Sequence, residues 1–453
     1  MRNTLILLLL ISSMALQGQQ TYEANWESLD TRPTPKWFTD AKFGIFIHWG
    51  VYSVPAWAPT DIAVGKKFGQ KFSEWYWFRL MDPENKYFAP HHEKYFGNTT
   101  YQDFASDFKA EHFNPAQWAK MIKNAGAKYV VLTSKHHDGY ALWPSEQSWN
   151  WNSVDVGSHR DLCGELSEAV RAEGLHMGFY YSLYEWFNPL YKKDVSAYVD
   201  KHMIPQMKDL VTRYKPDVLW ADGEWSHTPD IWKSEAFLSW LFNESPVKEQ
   251  IAVNDRWGKK TRGNHGGFYT TEYGHVGEKE GVDDEFHAWE ECRGIGGSFG
   301  WNRMENLNHY STSEELVHIL IEKVSGGGNL LLNIGPTHDG RIPVIMQQRL
   351  ADIGAWLEVN GEAIYETTQW NDAPEEKEEG VYYTKKGSDL YVICTEWKST
   401  IQLPVAANSV SLLGSDVSVP IKKGKSSLQI LEPSLSPNKV PCDYAWVYKV
   451  KLQ

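Results

Sequence analysis

The chain has 453 residues, 42% of them hydrophobic, with 22 tryptophans and a formal net charge of −13. Such a chain can bury a sizeable core, and its acidity disfavours binding to nucleic-acid phosphates, because no run of lysine or arginine offsets it. Its four cysteines lack the CxxC spacing that is typical of zinc sites, although Cys394 and Cys442 are candidates for one disulfide bridge.

Residues 1–20 have the pattern of a secretory signal peptide. Arg2 supplies a positive start, Leu5–Ile11 is a short apolar run, and small residues follow. The apolar run is too short to span a bilayer, and no later stretch approaches ~20 apolar residues. We therefore expect an exported protein without a membrane span, periplasmic or extracellular, or lysosomal in a eukaryotic host.

Residues 21–365 alternate apolar runs with helical patterns. The run FGIFIHWG ends as a strand at His48. Asn114 and Pro115 then begin a helix that Gly126 closes, and a strand through Tyr129–Leu132 follows directly. Further strand-like runs read LHMGFYYS, DVLWAD, IAVND, GGFYTTE and NLLLNIGP. About eight parallel strands covered by helices predict an α/β fold of the (β/α)8-like TIM-barrel type.

Residues 366–453 have a different pattern. The charged stretch NDAPEEKEEG is followed by VYYTKKGSDLYVIC, which predicts a β-hairpin with a Lys-Gly-Ser-Asp turn. Short alternating strands continue to the end, without helices. This region predicts a C-terminal antiparallel β-sandwich. It shows no catalytic cluster, so we expect it to pack against the barrel or to bind sugar.

Polar side chains recur where the predicted strands end or their loops begin. They are His48, His136, His137, Tyr180, Asp222, Arg256 and Glu272. The carboxyl ends of the strands build the active site of a TIM barrel. These side chains suit the hydroxyl groups of a sugar, and the many tryptophans suit its apolar faces.

The stretch LWADGEW carries two acids, Asp222 and Glu224. A glycosidase needs two carboxylates on opposite sides of the scissile bond, about 5–5.5 Å apart for retention. Near neighbours on one strand cannot easily flank a sugar ring, so we expect the partner of Asp222 on another strand. Glu224 would then orient neighbours or touch the sugar. The alternative is that Asp222 only caps a helix or forms a salt bridge.

The pair His136–His137 does not predict a metal site. Adjacent histidines on a strand point to opposite faces, and HxH and HxxxH spacings are absent. Contacts to sugar hydroxyls or a role in the core are the open alternatives. Glu74, which Trp75 follows, has the same two interpretations.

Several long motifs resemble the α-L-fucosidases of glycoside hydrolase family 29. They are IHWGVYSVPAW, EWYW, AGAKYVVLTSKHHDGYALWPS, SWNWNSVDVGSHRDL, YKPDVLWADGEW, VNDRWG, GGNLLLNIGPTHDGRIP and NGEAIY. The resemblance extends from about residue 22 to the C-terminus. It implies a barrel followed by a β-sandwich, retaining hydrolysis of terminal α-L-fucose, and no metal or organic cofactor.

The resemblance also implies roles for individual residues. The nucleophile falls on Asp222, and the acid/base on Glu272 or Glu290, of which Glu272 is favoured because it ends a strand-like run. Contacts to the fucose hydroxyls fall on His48, Glu74, Trp75, His136, His137, Tyr180 and Arg256. Contacts to the apolar side of the ring fall on Trp225 and Phe299.

Two rival functions stay open. One is a non-catalytic fucose-binding protein on the same fold, and the other is a retaining glycosidase for a related sugar such as galactose. The expected partner is a fucosylated oligosaccharide or glycoconjugate, and assembly into a homo-oligomer is left open.

Overall fold

A computed structural model of the chain describes residues 20–60, 70–276, 287–374 and 378–453. The predicted signal peptide therefore lies outside the described residues apart from Gln20. Within the described ranges, no helix is both long and apolar enough to cross a membrane.

The first part of the chain forms one sheet of nine strands. They are β1 (Phe43–Ile47), β2 (Tyr129–Lys135), β3 (His176–Ser182), β4 (Val218–Asp222), β5 (Ala252–Val253), β6 (Tyr269–Glu272), β7 (His275–Val276), β8 (Trp289–Gly294) and β9 (Asn329–Ile334). Their order is β5-β4-β3-β2-β1-β9-β8-β6-β7. All neighbours are parallel except β6 and β7. The eight parallel strands confirm the predicted TIM-barrel class.

The barrel closes between β5 and β6 through very little backbone pairing. The single bridge joins Asn254 to Phe268, and Phe268 N donates to Val253 O at 2.9 Å. A Cβ atom on Gly267 would lie 1.9 Å from Val253 O, so only glycine permits this approach. Side chains complete the seam: Thr270 Oγ1 donates to Asp255 Oδ1 at 2.8 Å.

Thirteen α-helices are present among the described residues. They are α1 (Trp26–Leu29), α2 (Lys36–Ala41), α3 (Tyr76–Leu80), α4 (Phe88–Phe96), α5 (Pro115–Asn124), α6 (Leu162–Ala172), α7 (Pro189–Lys193), α8 (Val195–Tyr198), α9 (Ile204–Tyr214), α10 (Pro229–Trp232), α11 (Ser234–Asn243), α12 (Ser313–Ser325) and α13 (Val344–Asn360). The predicted start of α5 is confirmed, because the Asn114 side chain accepts from Gln117 N and Pro115 follows it.

One strand was missing from the prediction, and one local expectation was wrong. Strand β8 was not predicted, because its acids Glu290 and Glu291 hide the apolar pattern of a buried strand. The two histidines after β2 do not point to opposite faces, because β2 ends at Lys135 and the chain turns. The rings of His136 and His137 lie 4.2 Å apart, centroid to centroid.

The C-terminal region forms two antiparallel sheets around one core, which confirms the predicted sandwich. Its strands are β10 (Thr368–Gln369), β11 (Val381–Lys386), β12 (Asp389–Cys394), β13 (Thr400–Leu403), β14 (Ala407–Leu412), β15 (Ile421–Lys423), β16 (Leu428–Leu431) and β17 (Trp446–Leu452). The hairpin β11–β12 has the expected turn, with Lys386 paired to Asp389. All four cysteines are free, so Cys394 and Cys442 form no bridge.

Candidate active site

A cavity of about 590 Å³ opens at the carboxyl ends of the barrel strands. Twelve of the thirteen residues singled out from the sequence line it: His48, Glu74, Trp75, His136, His137, Tyr180, Asp222, Glu224, Trp225, Arg256, Glu272 and Phe299. These residues come from seven strand ends or the loops that follow them, together with the turn around Glu74. Glu290 is the exception, because it is fully buried and does not line the cavity.

Asp222 is the last residue of β4 and accepts hydrogen bonds from two side chains. Tyr180 OH donates to its Oδ2 at 2.8 Å, and Arg256 Nη1 donates to its Oδ1 at 2.9 Å. Burial opposes ionisation of this acid, but its cationic surroundings, Arg256 above all, outweigh burial and lower its pKa to about 2. Asp222 is therefore an ionised carboxylate at neutral pH.

Glu272 is the last residue of β6 and faces the same guanidinium. Its Oε2 lies 3.5 Å from Arg256 Nη2. Burial raises the pKa of Glu272, the nearby charge of Asp222 adds to this rise, and Arg256 only partly opposes it. One guanidinium thus stands between an ionised acid and an acid that retains its proton more readily, which is the pattern of two carboxyl groups with separate roles.

Arg256 is itself fixed from behind. Its guanidinium carbon lies 4.3 Å from the centroid of the Trp220 ring, and its Nε donates to Thr270 Oγ1 at 2.9 Å. A guanidinium stacked on an indole face is attracted to the ring, and the stacking fixes the plane of the guanidinium. The position of both carboxyl groups consequently depends on the packing of Trp220, which sequence reasoning did not single out.

Glu224 contacts the site through an arginine that the sequence did not reveal. Arg262 Nε donates to Glu224 Oε1 at 2.6 Å, and Arg262 Nη2 lies 3.7 Å from Asp222 Oδ1. Glu224 therefore orients a cation beside Asp222, which is one of the two roles expected for it. Arg262 lies in a loop without a strand or helix pattern, so no local signal marks it.

The hydrogen bonds around two histidines fix their tautomers. Asn333 Nδ2 donates to Phe299 O, so its Oδ1 accepts from His48 Nδ1, at 2.7 Å. Ser182 Oγ donates to Tyr184 O and so accepts from His137 Nδ1 at 2.6 Å. In both rings the Nε2 atom is left as an acceptor. Burial lowers the pKa of His48 to about 3 and that of His137 to about 4, so both rings are neutral.

Glu74 and His136 add two buried polar groups to the cavity wall. Gly300 N and Ser298 Oγ donate to Glu74 Oε2 at 2.8 and 3.1 Å, and burial raises the pKa of Glu74 to about 7. His136 Nδ1 is buried and has no hydrogen-bond partner among the described residues. A buried donor or acceptor of this kind is suited to a polar ligand.

The opposite wall of the cavity is apolar. The Phe299 ring lies 4.8 Å from the His48 ring, 5.6 Å from Phe72 and 6.5 Å from Phe46, centroid to centroid. Trp225 stands at the mouth, with 38% of its surface exposed. The cavity thus combines hydroxyl-binding groups with a wall that suits a methyl group.

Glu290 lies beneath the cavity floor. Trp220 Nε1 donates to its Oε1 at 2.9 Å, and Tyr129 OH donates to its other oxygen. Burial raises the pKa of Glu290 to about 7. Trp220 also carries Arg256 on its face, so Glu290 contacts the site only through Trp220.

Replacing Glu290 with glutamine is expected to lower the free energy of unfolding by about 1–3 kcal/mol, because one of its two buried donors then faces an amide NH₂ group. Turnover should persist, and azide should not accelerate it. Thermal unfolding and azide-dependent kinetics of the variant check this. A loss of turnover above about 100-fold that azide reverses would instead make Glu290 the acid/base.

No group of three or more His, Cys, Asp or Glu side chains within the described ranges is arranged to hold a metal ion. The nearby carboxyl groups of Asp222 and Glu224 are paired with Arg256 and Arg262.

The chain is similar to known proteins over nearly its whole length. A family model described as alpha-L-fucosidase matches residues 9–362, and one described as alpha-L-fucosidase C-terminal domain matches residues 374–451. An alpha-L-fucosidase of Branchiostoma floridae is 44% identical, with 98% of this chain and 99% of the relative covered. The tissue alpha-L-fucosidase of Homo sapiens is 41% identical, with 98% and 96% covered. A crystal structure of Thermotoga maritima alpha-fucosidase with a mechanism-based inhibitor has a TM-score of 0.80 at 37% identity, with 95% of this chain and 100% of that chain covered.

Proposed function

Because the chain belongs to the α-L-fucosidase family of glycoside hydrolases, we propose that it releases terminal α-L-fucose from oligosaccharides or glycoconjugates with retention of anomeric configuration. The observation that carries this proposal is the sharing of Arg256 by Asp222 and Glu272. Asp222 contacts Nη1 of this guanidinium, and Glu272 lies 3.5 Å from its Nη2. The two carboxyl groups therefore lie near each other on different strands, as a double displacement requires.

In the first step, Asp222 attacks the anomeric carbon of fucose. Its low pKa keeps it ionised, and its hydrogen bonds to Tyr180 and Arg256 fix the direction of the carboxylate. A carbon–oxygen bond forms between the anomeric carbon and Asp222, while the bond to the leaving group breaks. The product of this step is a β-fucosyl ester of Asp222.

Glu272 supplies the proton that the leaving oxygen needs. Its raised pKa maintains a protonated fraction nearer to neutral pH than an exposed glutamate would have. After the leaving group departs, the same carboxylate takes a proton from water, and the water oxygen attacks the anomeric carbon. The ester breaks, Asp222 is released, and fucose leaves in its α form.

Recognition of fucose is assigned to the other walls of the cavity. The Nε2 atoms of His48 and His137 accept from hydroxyl groups, and Glu74 adds a carboxyl group beside Trp75. Phe299 faces the methyl group at C5. An apolar pocket for one methyl group contributes only about 1–3 kcal/mol, so the hydroxyl contacts supply the larger share of selectivity.

Export is also part of the proposal. It rests on the charged and apolar pattern of residues 1–20, and among the curated relatives is a plasma alpha-L-fucosidase of Rattus norvegicus that is 43% identical. Expression of the full chain followed by N-terminal sequencing of the secreted product checks it. An N-terminus that still begins at Met1 would contradict it.

The function is tested with 4-nitrophenyl α-L-fucoside and proton NMR of the early product. Wild-type protein should release fucose that is at first entirely the α anomer and then mutarotates. Initial β-fucose would contradict retention. A folded protein that binds fucose without turnover would support the binding-protein alternative. Faster hydrolysis of the matching galactosides would contradict selectivity for fucose.

A further inference from the structure

One wall of the cavity mouth is cationic although the chain as a whole is acidic. Lys259, Lys260 and Arg262 all line the cavity, and they follow Arg256 within six residues. The chain carries a net charge of −13, so such a cluster runs against its average composition. We call these three residues the cationic wall.

The backbone under the cationic wall is firmly anchored. Thr261 Oγ1 donates to Asp255 O at 2.7 Å, and Gly263 N donates to Asp255 Oδ2 at 2.9 Å. Lys259 N donates to His227 O at 2.8 Å, which ties the loop to the turn that carries Trp225. These bonds fix the backbone of the loop beside the turn that carries Trp225.

The cationic wall lies on the side where the leaving group must pass. Arg262 is 34% exposed, and its Nη2 lies 3.7 Å from Asp222 Oδ1. Its charge also lowers the pKa of Glu272, so it is close to both carboxyl groups of the reaction. Lys259 and Lys260 are exposed members of the cavity lining, so they lie at its opening, where the sugar attached to the leaving oxygen emerges.

The two lysines at the mouth are exposed, and neither forms a salt bridge with any residue that the structure describes. Arg262, by contrast, is partly satisfied by Glu224 at 2.6 Å. Two ammonium groups in a cavity lining that also contains Trp225 suit a sugar ring that carries a negative charge.

We propose that the leaving-group side of the cavity binds a sugar with an anionic substituent, a sulfate ester or a carboxylate, whose ring packs on Trp225 and whose charge faces Lys259 and Lys260. This inference rests on the proposed function. It assigns a substrate class to the enzyme: fucose attached to anionic glycans.

The test uses disaccharides of α-L-fucose and galactose. The linkage that wild-type enzyme hydrolyses fastest among 1→2, 1→3 and 1→4 is chosen, and three forms are compared: the neutral disaccharide, its 6-sulfate and its 6-carboxylate. The ratio of kcat/KM for the anionic form to kcat/KM for the neutral form should be about three to ten at low salt. It should fall toward one as ionic strength rises.

The double variant Lys259→Gln/Lys260→Gln should lose most of that ratio and its salt dependence. The matched control Lys422→Gln/Lys423→Gln removes the same charge from exposed lysines of β15 and should keep the wild-type ratio. If the double variant loses the ratio for the sulfate but keeps it for the carboxylate, the lysines bind sulfate. The reverse result would assign them to the carboxylate.

A wild-type ratio near one, or a ratio that the double variant retains, would overturn the inference and leave the proposed function standing. No hydrolysis of any disaccharide or of the aryl fucoside would instead remove the proposed function itself.

Discussion

Replacing Asp222 with alanine is expected to lower kcat for 4-nitrophenyl α-L-fucoside by about 10⁴-fold or more, the range found when a covalent nucleophile is removed. No other described carboxylate is both ionised and held by Tyr180 and Arg256 at the strand ends. Steady-state kinetics of purified, folded protein measure the loss. The vacated space should accept azide, and the rescued product should be β-fucosyl azide, because azide then attacks directly.

Glu224→Gln is the matched control for Asp222. Glu224 contacts Arg262 and not the anomeric carbon, so this variant should lose only about ten- to a hundredfold, through a misplaced cation. Equal losses at Asp222 and Glu224, with fucose binding intact in both, would contradict the assignment. Equal turnover of wild type and Asp222→Ala would mean that the nucleophile lies elsewhere.

Replacing Glu272 with alanine has the second largest expected effect. Turnover of fucosides with poor leaving groups should fall by about 10²–10⁴-fold, because the leaving oxygen is no longer protonated. The rate at which an activated aryl fucoside forms the fucosyl ester of Asp222 should fall much less, because its leaving group does not need a proton. Azide should accelerate the variant and yield α-fucosyl azide, since azide attacks the β-fucosyl ester and inverts it a second time.

The pH profile provides an independent check on Glu272. The acid must be protonated in the first step, so kcat/KM of wild type should fall as pH rises through its raised pKa. Asp222, with a pKa of about 2, should limit activity only in strong acid. In Glu272→Ala the alkaline limb should vanish for an activated substrate. A limb that persists, or azide rescue at Glu290→Gln alone, would contradict the assignment.

The pattern of the sequence was sufficient for most of the barrel, because its strands are continuous apolar runs such as Phe43–Ile47 and Asn329–Ile334. It failed at Trp289–Gly294. There, Glu290 is buried because Tyr129 and Trp220 donate to it, and Glu291 is buried beside Lys323. Partners so distant in sequence leave no local trace.

Some residues of the candidate site could be predicted from the sequence, and others could not. Residues at strand ends, such as Asp222 and Glu272, were recognisable because position and residue type coincide. Arg262 was not, since its importance comes from Glu224 and Asp222, about forty residues earlier in the chain. That His136 and His137 both face the cavity was not predicted. Their orientation depends on β2 ending at Lys135, and the end of a strand cannot be placed within a residue or two from sequence alone.

The sparse backbone pairing between β5 and β6 has a consequence for motion. Arg256, Thr270 and Asp255 bridge the gap that the backbone leaves, and Arg256 also holds Asp222. Arg256 therefore takes part both in the active site and in the closure of the barrel. Amide protons at Gly267 and Phe268 should exchange with solvent faster than those of β1, and an occupied cavity should slow them. Because Arg256 links the active site to the seam, we expect heat inactivation to start with the separation of β5 from β6.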